Sequence, residues 1–72
     1  MKLNYYADTD SLYIDLSEKT SADSREISEG VVLDYDINGH LVGIDIDNAS
    51  TKVQLEQLIL SKLPSKVETI AV

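Results

Sequence analysis

The residues best suited to chemistry lie between Asp34 and Asp45, in the stretch DYDINGHLVGID. Counted from Asp34, it sets Asp34, Asp36, Asn38, Gly39 and Asp45 at the first, third, fifth, sixth and twelfth places of a calcium loop. The same residues also read as two β-strands joined by an Asn-Gly turn, with no metal. A calcium loop needs its twelfth ligand at the start of an exiting helix. Asp45 instead sits inside Val42-Gly43-Ile44-Asp45-Ile46, which alternates and is rich in β-branched residues, and the entering Val31-Val32-Leu33 is equally strand-like. On an extended strand Asp34 and Asp36 would stand about 6.6 Å apart on one face, too straight to wrap around one ion. The hairpin is therefore expected, with no metal site and Asp34, Asp36, Asn38 and Asp45 kept as its weak candidates.

Other chemistry is thin. His40 is the one histidine, and beside a turn it reads as a rim residue that Asp36 or Asp45 would have to reach. No nucleophile elbow, phosphate-cradling glycine loop or paired-histidine metal motif occurs. Carboxylates on an open sheet face have little to drive their pKa values apart. A catalytic site and a cofactor are not expected.

The elements that would position these groups follow from periodicity. Asn38-Gly39 is the strongest short hairpin signal, because a type I′ turn needs positive φ at both central residues. It pairs Ile37 with His40, Tyr35 with Val42, Leu33 with Ile44 and Val31 with Ile46. Val32, Asp34, Asp36, Leu41, Gly43, Asp45 and Asp47 then share the opposite face. Upstream, Leu3, Tyr5, Leu12, Ile14 and Leu16 alternate around the turn-forming Asp8-Thr9-Asp10-Ser11, a hairpin pairing Tyr5 with Ile14 and Leu3 with Leu16. Tyr6, Tyr13, Asp15 and Ser17 fall on its other face.

Strands are expected at about 2–7, 11–17, 24–28, 31–37 and 40–47. Thr51-Lys52-Val53-Gln54 has the form of a capping box, and Leu55, Leu58, Ile59 and Leu63 follow at helical spacing, predicting a helix over about 51–62 that stops before Pro64. Residues 66–71 suit a last strand or a loose tail. The expected fold class is α+β: a four- to five-stranded antiparallel sheet built from hairpins, with one helix in the C-terminal half packed on its apolar face in two layers.

Seventy-two residues make one domain near the lower size limit for an independent core. With no cysteine, disulfides cannot reinforce it, and self-association is the usual substitute. The absence of a signal-like apolar stretch or a membrane-length run leads to the expectation of a cytoplasmic protein that does not contact membranes. Six basic against thirteen acidic residues, a net charge of −7, would repel a nucleic-acid backbone. The same acidity suits a basic partner, which Asp34, Asp36, Asp45 and Asp47 would face. Apolar residues on the nominally wet face, Tyr6, Tyr13, Val32 and Leu41 together with Ile27, are candidates for a homodimer interface.

Tyr5–Ile14 (YYADTDSLYI) and Ser24–Ser50 (SREISEGVVLDYDINGHLVGIDIDNAS) resemble the small prokaryotic family called domain of unknown function 2283. The residues that carry the resemblance are Tyr5, Asp10, Leu12-Tyr13-Ile14, Arg25-Glu26, Gly30 to Asp36, Gly39, Leu41 to Ile44 and Ala49-Ser50. Tyr6 stands where that pattern commonly has Asp, and Asp45 where it usually has Glu. The family implies no catalytic residue or cofactor. Its members resemble partners of small toxin-like proteins encoded beside them, which implies an antitoxin-like neutraliser of a small basic protein as the alternative to a homodimeric, non-enzymatic interaction module. A divalent-cation-binding module using the Asp34–Asp45 loop is the further alternative.

Overall fold

In the computed structural model, which describes residues 1–64, five strands form one antiparallel sheet. They are β1 (Lys2–Tyr6), β2 (Ser11–Asp15), β3 (Asp23–Ser28), β4 (Val31–Tyr35) and β5 (Leu41–Ile46), in the spatial order β1-β2-β5-β4-β3. The chain makes one hairpin, crosses the sheet end through residues 16–22, and returns as a three-strand meander whose last strand slots beside β2. Non-local pairing of β2 with β5 thus joins the two halves: Leu12 faces Ile46 and Ile14 faces Ile44.

Alternation puts apolar side chains in two rows on one face. One row runs Tyr5–Leu12–Ile46–Val31 and the other Leu3–Ile14–Ile44–Leu33, each crossing β1, β2, β5 and β4. The first hairpin is two residues tighter than its sequence suggests. Tyr5 faces Leu12 and Leu3 faces Ile14, because the reversal occupies Ala7–Asp10, with Asp10 in the left-handed region at φ 52°. A shift by an even number of residues preserves the faces, so the apolar set stays together.

The second hairpin keeps the expected pairs Leu33–Ile44 and Val31–Ile46 but closes differently. Gly39 N–H donates to Asp36 O at 3.0 Å and Asp36 N–H to His40 O at 2.8 Å, while Gly39 alone of the Asn-Gly pair has positive φ, 82°. This is a three-residue loop with a glycine bulge rather than a two-residue type I′ turn. Tyr35 consequently faces Leu41, and Val42 becomes the extra residue on β5, buried, with its carbonyl accepting from Leu16 N–H at 2.9 Å. A second irregularity leaves Ile27 unmatched on β3.

The expected helix over 51–62 does not form, and the α+β two-layer fold is corrected to a sheet with one 3-10 turn, Ala49–Thr51; no α-helix occurs among the described residues. The capping box fails locally. Thr51 Oγ1 donates backwards to Asn48 O at 2.8 Å instead of accepting from Gln54 N–H. Lys52 Nζ is held by the carbonyls of Asp47 (2.6 Å) and Glu29 (3.0 Å), which ties the first turn to the β3–β4 corner. A twelve-residue helix with no cap is marginal without packing. The strand suggested for 66–71 lies outside the described residues.

Burial is sparse. Among the described residues, Leu12, Val42 and Ala49 are the buried hydrophobic ones, whereas Leu3, Tyr5, Leu58, Ile59 and Leu63 remain exposed. No helix among the described residues is long and apolar enough to cross a membrane.

Candidate functional site

Strand alternation turns Tyr13, Asp15, Val32, Asp34, Gly43 and Asp45 to the face opposite the apolar rows. Gly43 is the smallest of these and sits between β2 and β4, with Asp15 on one side and Asp34 on the other. The Tyr13 ring lies across this gap. A Cβ built on Gly43 would come within 2.7 Å of Tyr13 Cζ, so the strand glycine is a seat for the ring. From there Tyr13 Oη donates to Asp34 Oδ2 at 2.7 Å, and Ser24 Oγ on β3 donates to Asp34 Oδ1 at 2.6 Å. One hydroxyl–carboxylate chain thus spans β2, β5, β4 and β3.

The Tyr13 hydroxyl is pushed up to about 12, first by its hydrogen bond to the Asp34 carboxylate, then by burial and by the charges of Asp34, Asp15 and Asp45. At neutral pH it is therefore held protonated, as a donor to Asp34. Asp45, half-buried beside it, has its carboxyl pKa raised, chiefly by burial and further by the charges of Asp47 and Asp34.

A second cluster forms where the first hairpin meets the 3-10 turn. Asp10 Oδ1 accepts from Tyr5 Oη at 2.8 Å and from Ser50 N–H at 3.0 Å, and Oδ2 accepts from Ser50 Oγ at 2.6 Å. Asp10 O also takes Ala49 N–H at 2.9 Å, and Ala49 is fully buried beneath the joint. The Ser50 hydroxyl, then the Tyr5 hydroxyl, hold the Asp10 carboxyl below the usual carboxylate value. The Tyr5 phenol is raised in turn by the Asp10 hydrogen bond.

Asp36 does something else again. It is 6% exposed, and its Oδ1 accepts from Asn38 N–H and His40 N–H, both at 2.9 Å, so the carboxylate shapes the turn from within. These backbone donors, His40 first, lower its pKa. Its Oδ2 is buried without a hydrogen-bond partner, 3.6 Å from Nδ1 of the largely exposed His40 ring.

The four residues weighed as calcium ligands are therefore not brought together. Asp34 is bonded to Tyr13 and Ser24, Asp36 is turned into the loop, Asn38 lends that loop its backbone N–H, and Asp45 lies opposite Val32. Among the described residues no group of three or more His, Cys, Asp or Glu side chains is arranged to hold a metal ion. Of the expected acidic face, Asp34 and Asp45 share the sheet surface, Asp47 is exposed just beyond β5, and Asp36 has left it for the loop. Of the interface candidates, Tyr6 and Ile27 are exposed at 55% and 57%, Leu41 is exposed at the β5 bulge, Val32 is half-buried, and Tyr13 is held by Asp34.

Asp10 is a turn residue by sequence, and Tyr5, Asp10 and Ser50 carry the family resemblance, but neither their meeting nor Ser24 as a partner of Asp34 is signalled by local pattern. Gly43 was the available signal for the Tyr13–Asp34 contact, since a glycine inside an alternating strand marks a close approach. A family model described as "Protein of unknown function (DUF2283)" matches residues 2–50. No curated protein and no solved structure matches the chain.

Proposed function

The chain belongs to the DUF2283 family of proteins of unknown function, and from that premise we propose that it is a small acidic interaction module, non-enzymatic and homodimeric. One observation carries this. Three carboxylates that bear the family resemblance are tied up in bonds to their own chain, in the sheet and its turns, while large apolar side chains stand at the surface. Asp10, Asp34 and Asp36 each already accept at least two hydrogen bonds from their own chain. These bonds also hold the Asp10 and Asp36 carboxyls below the ordinary carboxylate value, away from the near-neutral pKa that suits a general base. Exposed aromatic and aliphatic residues, with Leu3 at 38%, Tyr5 at 43% and Tyr6 at 55%, are what an interface requires.

The homodimer reading is tested by sedimentation equilibrium on the full chain at tens of micromolar. Twice the chain mass supports it; a single chain mass across that range removes it.

An antitoxin-like role, neutralising a small basic protein, is favoured by one local feature. Asp45 and Asp47 crowd negative charge on the polar face, and burial already disfavours ionised Asp45. A lysine or arginine from a partner would relieve that repulsion. Because Asp34 and Asp36 are bonded internally, charge reversal at Asp45 and Asp47 is the informative change. If Asp45→Lys with Asp47→Lys leaves pull-down of a basic protein encoded alongside unchanged, this role is lost and the homodimeric module stands alone.

A further inference from the structure

We propose that the second copy in the homodimer is seated on the apolar face of the sheet, against Leu3, Tyr5, Ile14, Leu33 and Ile44, so that two chains stack sheet on sheet. This rests on the homodimer reading and assigns it a surface, opposite to the face where Tyr6, Tyr13 and Val32 lie.

Three observations select the face and the occupant. The first is unfinished burial. Eight apolar residues form two rows across four strands, yet only Leu12 among them is buried. The described residues after the sheet are no better buried: Val53, Leu55 and Leu60 reach half burial, while Leu58, Ile59 and Leu63 are 45%, 72% and 44% exposed.

The second is charge. A chain of net charge −7 meets its own copy favourably only where the charges are kept apart. Asp15, Asp34 and Asp45 all lie on the other face. Sheets stacked by their apolar faces sit about 10 Å apart, which leaves both acidic faces outward in water. Joining the acidic faces would press these carboxylates together. The charged groups beside the apolar face lie at its margins: Asp23 and Arg25 on the edge strand β3, with Arg25 over the Tyr35 ring at 5.8 Å, and Asp10 at the hairpin end, where it accepts from Tyr5 Oη, so that together they form a rim.

The third is size. Five strands about 4.8 Å apart and about five residues long cover roughly 400 Å² in plan. That is about half of the ~800 Å² per partner in a standard-size interface, which places the contact at the small end of the range.

Sedimentation equilibrium of the full chain, with two variants, tests the assignment. Leu3→Lys puts a charge into the stacked interface at an edge position exposed enough to tolerate it, and should weaken dimerisation at least about tenfold. Tyr6→Lys, on the opposite face of the same strand, should leave it unchanged. Since the chain has no cysteine, Leu3→Cys and Tyr6→Cys supply a second measure that keeps the fold intact. At concentrations where the chain is dimeric, maleimide should label Tyr6→Cys freely and Leu3→Cys several-fold more slowly. A dimer broken by Tyr6→Lys but not by Leu3→Lys, or equal labelling of the two cysteines, overturns the assignment and leaves the homodimer standing. A wild-type chain that stays monomeric overturns both.

Discussion

Tyr13 on β2 reaches over Gly43 on β5 to bond Asp34 on β4 at 2.7 Å, so a glycine in one strand enables a hydrogen bond between its two neighbours. The phenol closes over the strand that joins the two halves of the sheet. Gly43→Ala would drive a methyl into the ring and should cost about 1–3 kcal/mol in urea denaturation, the range for overpacking. Tyr13→Phe keeps the ring but removes the donor, and should cost about 0.5–1.5 kcal/mol. In a Tyr13→Ala background Gly43→Ala should become nearly neutral, because the overlap it suffers is gone.

The same pair has a signature in alkali. Asp34 raises the Tyr13 phenol to about 12. A group whose folded pKa lies above its unfolded value of 10.0 contributes stability that is complete below pH 10 and is lost as pH rises toward 12. Absorbance titration of phenolate should show, besides the Tyr5 phenol that Asp10 raises, a late component at about 12 that is absent in Tyr13→Phe and brought earlier by Asp34→Asn.

Asp10 gives the acid counterpart. Its folded pKa lies below the ordinary 3.8, chiefly through the Ser50 hydroxyl. The stabilisation is present above about pH 3.8 and falls away as pH drops through the lowered value. The urea midpoint should decline on acidification below pH 4, and that part of the decline should shrink in Asp10→Asn and in Ser50→Ala.

Gly39 and Asn38 separate two kinds of turn. A Cβ at Gly39 meets nothing within 4 Å, so Gly39→Ala should cost only the left-handed backbone penalty of about 1 kcal/mol. A type I′ turn would make Asn38→Ala comparably costly. In the observed loop Asn38 does not need positive φ, and its substitution should change stability by less than about 0.5 kcal/mol. Thermal or urea unfolding of the two variants checks this contrast.

Alternation along Leu3–Ile14 and Val31–Ile46 was enough to assign strands and sort their side chains into an apolar and an acidic face, because in an extended chain the direction of each side chain is set by its own backbone and repeats every two residues. The even-numbered slip of the first hairpin did not disturb that sorting. Asp36 is the exception: its position matched the acidic face, but the loop bulge turned it inward to bind Asn38 and His40 N–H. Leu55, Leu58, Ile59 and Leu63 have helical spacing, yet spacing only makes a helix available. Thr51 and Lys52 found partners in Asn48, Asp47 and Glu29 that a local pattern does not contain. The sequence by itself determined which residues are strand and which side of a strand is oily. Which strands become neighbours, that Tyr13 meets Asp34, and that Asp10 gathers Tyr5 and Ser50 were decided by tertiary structure, since each depends on groups up to forty residues apart arriving within hydrogen-bonding distance.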